Sequence, residues 1–310
     1  MNKFKKIGLS ALAGSLVAVS ANAGEMSVAG GASVGLEHTN GGAASAGKSW
    51  SMGNQLTFTG GGELDNGMSV SLSMVLDHTD EATYTNVFDG HSIAVSSDAM
   101  GTITFAGEGA SSAQNTVDGT AAGDIWDQNT SWGSTAMPSN ANAQNTIRWT
   151  MPAMVDGLAA DVSYAGSAAG IEATIGYALT YTGVEGLSLT YAKGERGETA
   201  TKGDIETMKA SFAFGPITAA MSINDYKNDS TDNQEQTSYM VSYAVTDELS
   251  ASFGSEVVET VGGTDQEWDR VKVAYTTGGL TLSASKSNAD NVTGATAEQS
   301  HWDIGLSFAF

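Results

Sequence analysis

Apolar and polar residues alternate along most of this chain, a pattern typical of β-strands with one apolar face. Residues 69–76 are the clearest case, because four apolar side chains share one face while Ser69, Ser71 and Ser73 share the other. A soluble β-sandwich would turn the apolar face inward. A transmembrane β-barrel turns it toward lipid and leaves the polar face lining water. The alternation favours neither arrangement by itself, so the strand number and the connections have to decide.

We predict sixteen strands from this alternation and from the turn residues between them. The predicted ranges are 25–37, 50–64, 67–78, 90–97, 100–108, 144–151, 157–165, 170–181, 186–194, 204–214, 216–227, 236–246, 248–258, 268–277, 279–287 and 300–310. Tight turns alternate with mostly longer connections, as at the two ends of an outer-membrane barrel. The sequence therefore predicts an all-β fold, a 16-stranded antiparallel transmembrane barrel with short periplasmic turns.

The N-terminal residues have the composition of a secretion signal. Three lysines precede a short apolar stretch, Ile7 to Val19, and Ala21-Asn22-Ala23 fits the small residues of a cleavage site. The apolar stretch is too short to cross a bilayer as a helix. We therefore expect residues 1–23 to be a signal peptide for the general secretory route and residues 24–310 to form the barrel.

The segment 300–310 is an alternating strand that ends in phenylalanine. Its apolar face is formed by Trp302, Ile304, Leu306, Phe308 and Phe310. It resembles the terminal strand that the barrel-assembly machinery recognises in outer-membrane proteins, and Trp302, Phe308 and Phe310 are its candidate signal residues. The alternative is an edge strand of a soluble sandwich.

Composition agrees with an exported barrel. The chain has 38 glycines, 3 prolines and no cysteine, so hydrogen bonds rather than disulfides have to hold the fold. The formal net charge of −22 argues against nucleic acid as a partner, because nucleic acid binds basic patches. It suggests an atmosphere of cations, or divalent ions that bridge the protein to anionic lipopolysaccharide. The simpler interpretation is solubility in salt water.

With these features the chain resembles the general porin family of Gram-negative outer membranes, in its alphaproteobacterial form. The resemblance covers residues 24–310, and the stretch Met100-Gly-Thr-Ile-Thr-Phe-Ala-Gly107 resembles the family segment that leads into the long third external loop. It implies a homotrimer, a third loop folded into the lumen, and passive diffusion of ions and small hydrophilic solutes. The chain departs from enteric porins because its third loop lacks a Pro-Glu-Phe-Gly-Gly run.

The third external connection, residues 109–143, carries the candidate constriction residues. A loop of this length on a compact fold usually has a function. Its acidic candidates, with the residue just before it, are Glu108, Asp118, Asp124 and Asp127, and its candidate anchors are Trp126 and Trp132. If the loop folds inward, these carboxylates place negative charge at the narrowest point and favour cations. The alternative is a solvent-facing loop with ordinary surface acids.

Side chains alternate between the two faces of a strand, so the parity of a residue, its odd or even position relative to the apolar residues, shows which face it occupies. Parity therefore selects the charged side chains that face the lumen. The predicted basic residues of the pore wall are Arg148, Lys209, Arg270 and Lys272, each next to at least one apolar residue of the opposite face. Acids of the same parity are Asp77, Asp161, Glu172 and Asp303. The bases are sparse beside the arginine clusters of anion-selective porins, so we expect mild cation selectivity.

No residue pattern indicates catalysis. Gly31-Ala-Ser-Val-Gly35 has the letters of a nucleophile elbow, but it lies inside a strand that no helix follows. The four histidines lack metal-ligand spacing. We therefore expect no enzyme activity, no cofactor and no metal site. The remaining alternative to a channel is a structural or adhesive surface barrel without an open pore.

Overall fold

The computed structural model describes residues 26–40, 47–77, 88–107, 110–117, 120–127, 145–167, 170–197, 202–228, 233–260, 264–292 and 298–310. Its strands are β1 (Met26–Asn40), β2 (Gly47–Glu63), β3 (Ser69–Asp77), β4 (Phe88–Ser97), β5 (Gly101–Ala106), β6 (Thr146–Thr150), β7 (Leu158–Ala165), β8 (Thr174–Val184), β9 (Leu187–Arg196), β10 (Gly203–Phe214), β11 (Ile217–Asn228), β12 (Gln234–Ala244), β13 (Leu249–Thr260), β14 (Gln266–Thr277), β15 (Leu280–Asp290) and β16 (Gln299–Ala309). A 3₁₀ turn, Ile125–Asp127, lies between β5 and β6. The predicted signal peptide, residues 1–23, lies outside the described residues.

The strands form one closed antiparallel barrel. Each strand pairs with its neighbour in sequence, and β1 pairs with β16 to complete the ring. The prediction of a 16-stranded all-β barrel is therefore confirmed. Within the described residues, no helix is long and apolar enough to cross a membrane.

Alternation along each strand produces the two faces of the barrel. In β8, Ile175, Tyr177 and Leu179 are exposed, whereas Gly176 and Ala178 between them are buried. The same rule places large exposed hydrophobic side chains on one face of nearly every strand, as a lipid-facing surface requires. We call the opposite face of the strands the polar face.

The ends of several strands differ from the prediction. At the long-loop end β1, β13 and β15 continue two or three residues further, because pairing extends beyond the apolar band into positions where both faces are polar. Alternation disappears there, and with it the signal in the sequence. The predicted start of β8 at residue 170 is wrong, since Gly170 has a φ of 77° and the strand begins at Thr174.

Acidic side chains form a row across the long-loop ends of β10 to β13. Glu206 pairs with Asp225, Asp225 with Glu235, and Glu235 with Glu259. These positions have the parity of the apolar face, and Asp225 also contacts Lys227. Like charges directly opposite each other destabilise a sheet, so this row belongs where water screens them.

Two glycines show how the chain closes and turns. Gly30 and Phe310 exchange backbone hydrogen bonds of 2.9 Å, and a Cβ on Gly30 would lie 2.7 Å from the Phe310 ring. Gly186 turns β8 into β9 with a φ of 76°, a conformation that favours glycine. The ring and its tight turns therefore depend on backbone positions without a side chain.

A charge on the apolar face should destabilise the barrel. Leu306 is exposed and lies between Leu282 and Val34 within the apolar band. We expect Leu306→Arg to lower the free energy of unfolding by about 2–4 kcal/mol, the cost of arginine near the bilayer midplane. The measurement is denaturant unfolding of the barrel reconstituted in lipid vesicles.

Ser307→Arg is the matched control, because Ser307 lies next in sequence on the polar face, opposite Ser33 and Thr281. It should leave the unfolding free energy close to that of the unsubstituted protein. Equal losses for the two variants would show that the face assignment is wrong.

Candidate functional site

The described part of the connection between β5 and β6 packs against the polar face of the barrel. We call residues 110–117 and 120–127 the connecting segment. Its contacts fall on residues of β7, β10, β11, β12, β13 and β14. The strands use their own backbone groups in the ladder, so the segment is held by side chains.

The first half of the segment contacts β7 to β10. The Ala113 amide donates to Ser163 Oγ at 2.8 Å, and Gln114 Nε2 donates to Thr207 Oγ1 at 3.2 Å. Ala113 packs with Ala178 and Ala192 in a small buried apolar cluster. Small side chains on the strands therefore bring the segment close to the barrel backbone.

The second half of the segment repeats this arrangement on β11 and β12. The Ala121 amide donates to Ser222 Oγ and the Ala122 amide donates to Ser238 Oγ, both at 2.9 Å. Ile125 is fully buried in an apolar cluster whose barrel members are Ile205, Tyr226, Val258, Trp268, Ala289 and Val292. Two hydroxyl acceptors and one apolar side chain thus fix the same turn.

Glu256 on β13 accepts hydrogen bonds from both ends of this half. Thr120 Oγ1 donates to Glu256 Oε1, and the Trp126 amide donates to Glu256 Oε2 at 3.1 Å. The Glu256 side chain is completely buried. A buried carboxylate is costly unless hydrogen bonds compensate it, and here both oxygens are used.

Arg270 on β14 contacts the segment through its carbonyl groups. Its Nη2 donates to the Ala122 carbonyl and also lies 3.4 Å from the Gly123 carbonyl oxygen. The predicted wall residue Arg270 and the predicted loop residue Asp124 therefore come close together. The guanidinium is only partly buried, so part of it still faces open space.

Asp124 stabilises the turn of the segment itself. Its carboxylate accepts from the Thr120 amide at 3.1 Å, while its own amide donates to Thr120 Oγ1 at 2.6 Å. Gly123 and Asp124 both have positive φ, 80° and 50°. Asp127 is exposed at the end of the 3₁₀ turn.

Arg148 on β6 lies apart from these contacts. Its Nε is 3.9 Å from an oxygen of Asp161 on β7, and both side chains are partly exposed. Arg148 also lines a cavity of about 260 Å³ together with hydroxyl side chains such as Ser73, Ser92 and Thr104. Ala110 and Ser111 of the connecting segment line the same cavity, so Arg148 lies between a wall acid and the start of the segment.

Strands that form none of these hydrogen bonds to the segment also carry acids. On the polar face of β1 to β5, β15 and β16, the carboxylates are Glu37, Glu63, Asp77 and Asp303. Among the described side chains of that surface there is neither lysine nor arginine. Ser285 donates to Asp303, and Ser49 donates to Glu37 at 2.5 Å.

The other predicted residues are placed as follows. Glu108, Asp118 and Trp132 lie outside the described residues. Lys209 and Lys272 lie on the polar face of β10 and β14. Trp126 packs against the buried cluster of Ile125.

On the apolar face of β16, Trp302 lies against His38 with ring centroids 5.9 Å apart, and the Phe308 and Phe310 rings are 6.1 Å apart.

The sequence analysis missed the residues that hold the segment. The chain has many serines and many acids, so Ser163, Ser222, Ser238 and Glu256 do not stand out by residue type. Parity could have selected Glu256, which faces opposite to Phe253 on the same strand. No group of three or more histidine, aspartate or glutamate side chains that could hold a metal occurs among the described residues.

The comparisons with known proteins agree with the barrel fold. A family model described as Gram-negative porin matches residues 8–310. The anion-selective porin from Comamonas acidovorans is 14% identical with a TM-score of 0.74, and the match covers 92% of this chain and 99% of that one. A triple mutant of Rhodopseudomonas blastica porin is 17% identical with a TM-score of 0.70, covering 92% and 100%. No curated protein sequence matches.

Loss of one serine hydroxyl should loosen the segment locally. In Ser222→Ala the Ala121 amide loses its acceptor, and an unsatisfied buried amide costs about 1–3 kcal/mol. We expect hydrogen exchange of the Ala121 amide to accelerate roughly fivefold or more, since exchange reports local opening. The measurement is hydrogen exchange of the folded barrel in detergent micelles.

Ser242→Ala is the control, because Ser242 lies on the polar face of β12 opposite Thr218, away from the segment's hydroxyl acceptors. Its removal should leave exchange at Ala121 unchanged. An unchanged rate in Ser222→Ala as well would mean that the serine does not hold the segment.

Proposed function

Because this chain belongs to the Gram-negative porin family, an outer-membrane family of diffusion channels, we propose that its connecting segment narrows a water-filled lumen and that the resulting channel prefers cations. The observation that carries this proposal is the row of contacts from the segment to the polar face of β7 to β14. The substrates would be ions and small hydrophilic solutes, which diffuse passively.

The two faces of the barrel support a lumen on the polar side. The exposed hydrophobic side chains suit lipid, which leaves serine, threonine and charged residues to line the interior. A sixteen-stranded barrel without an inward loop encloses a wide aqueous channel. A segment packed on about half of the inner surface would leave a passage bounded mainly by β1 to β6, β15 and β16.

The charges along that passage support cation preference. The wall supplies Glu37, Asp77 and Asp303, and the segment supplies Asp127 at an exposed position. Of the basic side chains, Arg148 on the β6 wall lies near Asp161, and Arg270 on β14 is engaged with carbonyl groups of the segment. Carboxylates lining a pore favour cations, whereas anion preference would call for uncompensated arginine or lysine. The Comamonas porin is described as anion-selective, but 14% identity carries the fold alone.

Several further assignments belong to the same proposal. We expect residues 1–23 to be removed after secretion and residues 24–310 to assemble as a homotrimer. Lipid, lipopolysaccharide and the barrel-assembly machinery would be its contacts in the outer membrane, with Trp302, Phe308 and Phe310 in the assembly signal. A channel fold also argues against enzyme activity.

A planar bilayer measurement tests the channel and its selectivity together. The reconstituted protein should give stepwise, mostly open conductance, with a reversal potential of the sign that cation preference requires under a salt gradient. Anion preference would keep the channel and overturn the assignment of the acids. A folded barrel without conductance would favour the structural or adhesive alternative.

Neutralising passage acids should weaken the preference. A unit charge about 4 Å from the ion path changes the energy of a monovalent ion by about 1 kcal/mol in water. We therefore expect Asp127→Asn and Asp303→Asn each to lower the cation-to-anion permeability ratio by up to several-fold at low salt, and less at high salt. The measurement is the reversal potential of each variant.

Glu235→Gln is a control with the same change of charge, because Glu235 lies on the outward-facing acidic row. Its permeability ratio should stay near that of the unsubstituted channel. If Glu235→Gln and Asp303→Asn have the same effect, selectivity reflects net charge and not charges that line the passage.

A further inference from the structure

Glu256 joins the two ends of a turn that would otherwise be open. Thr120, at the start of the turn, and Trp126, near its end, both donate to this carboxylate. Five residues lie between them in sequence, so one side chain fixes the span that carries Asp124.

The turn needs such support because its own backbone is unfavourable. Asp124 has a φ of 50°, and a residue other than glycine pays an energetic cost in that region. The Thr120–Asp124 hydrogen bonds close the turn but do not attach it to the barrel. Attachment on this side comes from β13 and its neighbours.

Opposite sides of the turn meet opposite charges on the barrel. The Trp126 amide points to the carboxylate of Glu256, whereas the Ala122 carbonyl accepts from Arg270. Gly254 pairs with Arg270 and lies two residues from Glu256 on the same face. A Cβ on Gly254 would lie 2.6 Å from the Ala122 Cβ, so the missing side chain makes room for the segment.

We infer that Glu256 is the positioning residue of the constriction: its buried carboxylate, with Gly254 beside it, seats the turn of the connecting segment and thereby sets channel width and ion preference. This inference rests on the proposed function, since it requires the segment to border the passage. Glu256 acts through the segment and need not touch the permeating ion.

Removal of the carboxylate tests the inference. In Glu256→Ala we expect a larger and noisier single-channel current and a smaller cation preference, because the turn carrying Asp124 and Asp127 is released. Glu256→Gln keeps the size of the side chain and one acceptor oxygen, so its current should fall between that of Glu256→Ala and that of the unsubstituted channel. Glu259→Ala, on the same strand but on the outward face, is the matched control and should conduct like the unsubstituted channel.

A reversible cross-link separates the position of the segment from general damage to the barrel. The chain has no cysteine, and the Ala121 amide lies 2.9 Å from Ser222 Oγ, so Ala121→Cys with Ser222→Cys places the only two thiols in neighbouring residues. Thiol titration checks that the single disulfide has formed before currents are recorded. In the Glu256→Ala background the oxidised form should recover the narrow, cation-preferring channel. Reduction should restore the large current in the same bilayer.

Gly254→Val provides a second variant that keeps the carboxylate. Its side chain would occupy the space of Ala122 and should also enlarge the current, even if Glu256→Ala fails to fold. Wild-type current in either folded variant, or a large current that the disulfide does not reverse, would overturn the inference. Absence of conductance in the unsubstituted protein would instead contradict the proposed function.

Discussion

A chain that crosses lipid as strands has to satisfy every backbone N–H and C=O group within the protein, and the only sheet that does so is a closed one. The other features of this molecule follow from that closure. Exchange of hydrogen bonds between Gly30 and Phe310 at the β1–β16 seam completes the ring. Once the ring is closed, alternation gives each strand one face for lipid and one for water, and tight turns with glycine at positive φ return the chain at one end.

Closure also determines how anything can be attached inside the barrel. The ladder occupies the strand backbone, so a segment on the polar face can bind only to side chains. The hydroxyls of Ser163, Ser222 and Ser238 accept its amides, and Arg270 donates to its carbonyls. Where the segment packs, Gly254 and the small side chains of Ala178 and Ala192 let it approach the strands closely. The polar composition of the strands thus serves both the water in the lumen and the attachment of the segment.

The sequence predicted the number and order of the strands because alternation is a local property of ten or so residues. It predicted their long-loop ends poorly, since at Asp290 or Glu259 both faces are wet and the pattern disappears. Parity placed Arg148, Lys209, Arg270 and Lys272 on the polar face, as the strand register has them. Their partners could not be predicted. Glu256 meets Thr120 across 136 positions, and only the closed ring brings these residues together.

The acidic row of Glu206, Asp225, Glu235 and Glu259 has a consequence for how the barrel sits in the membrane. These side chains continue the parity of the lipid-facing surface, so a shift of the barrel toward the periplasm would draw four carboxylates at once into hydrocarbon. Charged side chains on the lipid face become more costly with depth. The row therefore opposes a shift of this side of the barrel toward the periplasm. It fixes the depth of immersion along β10 to β13, and with it the height of the connecting segment relative to the membrane surface.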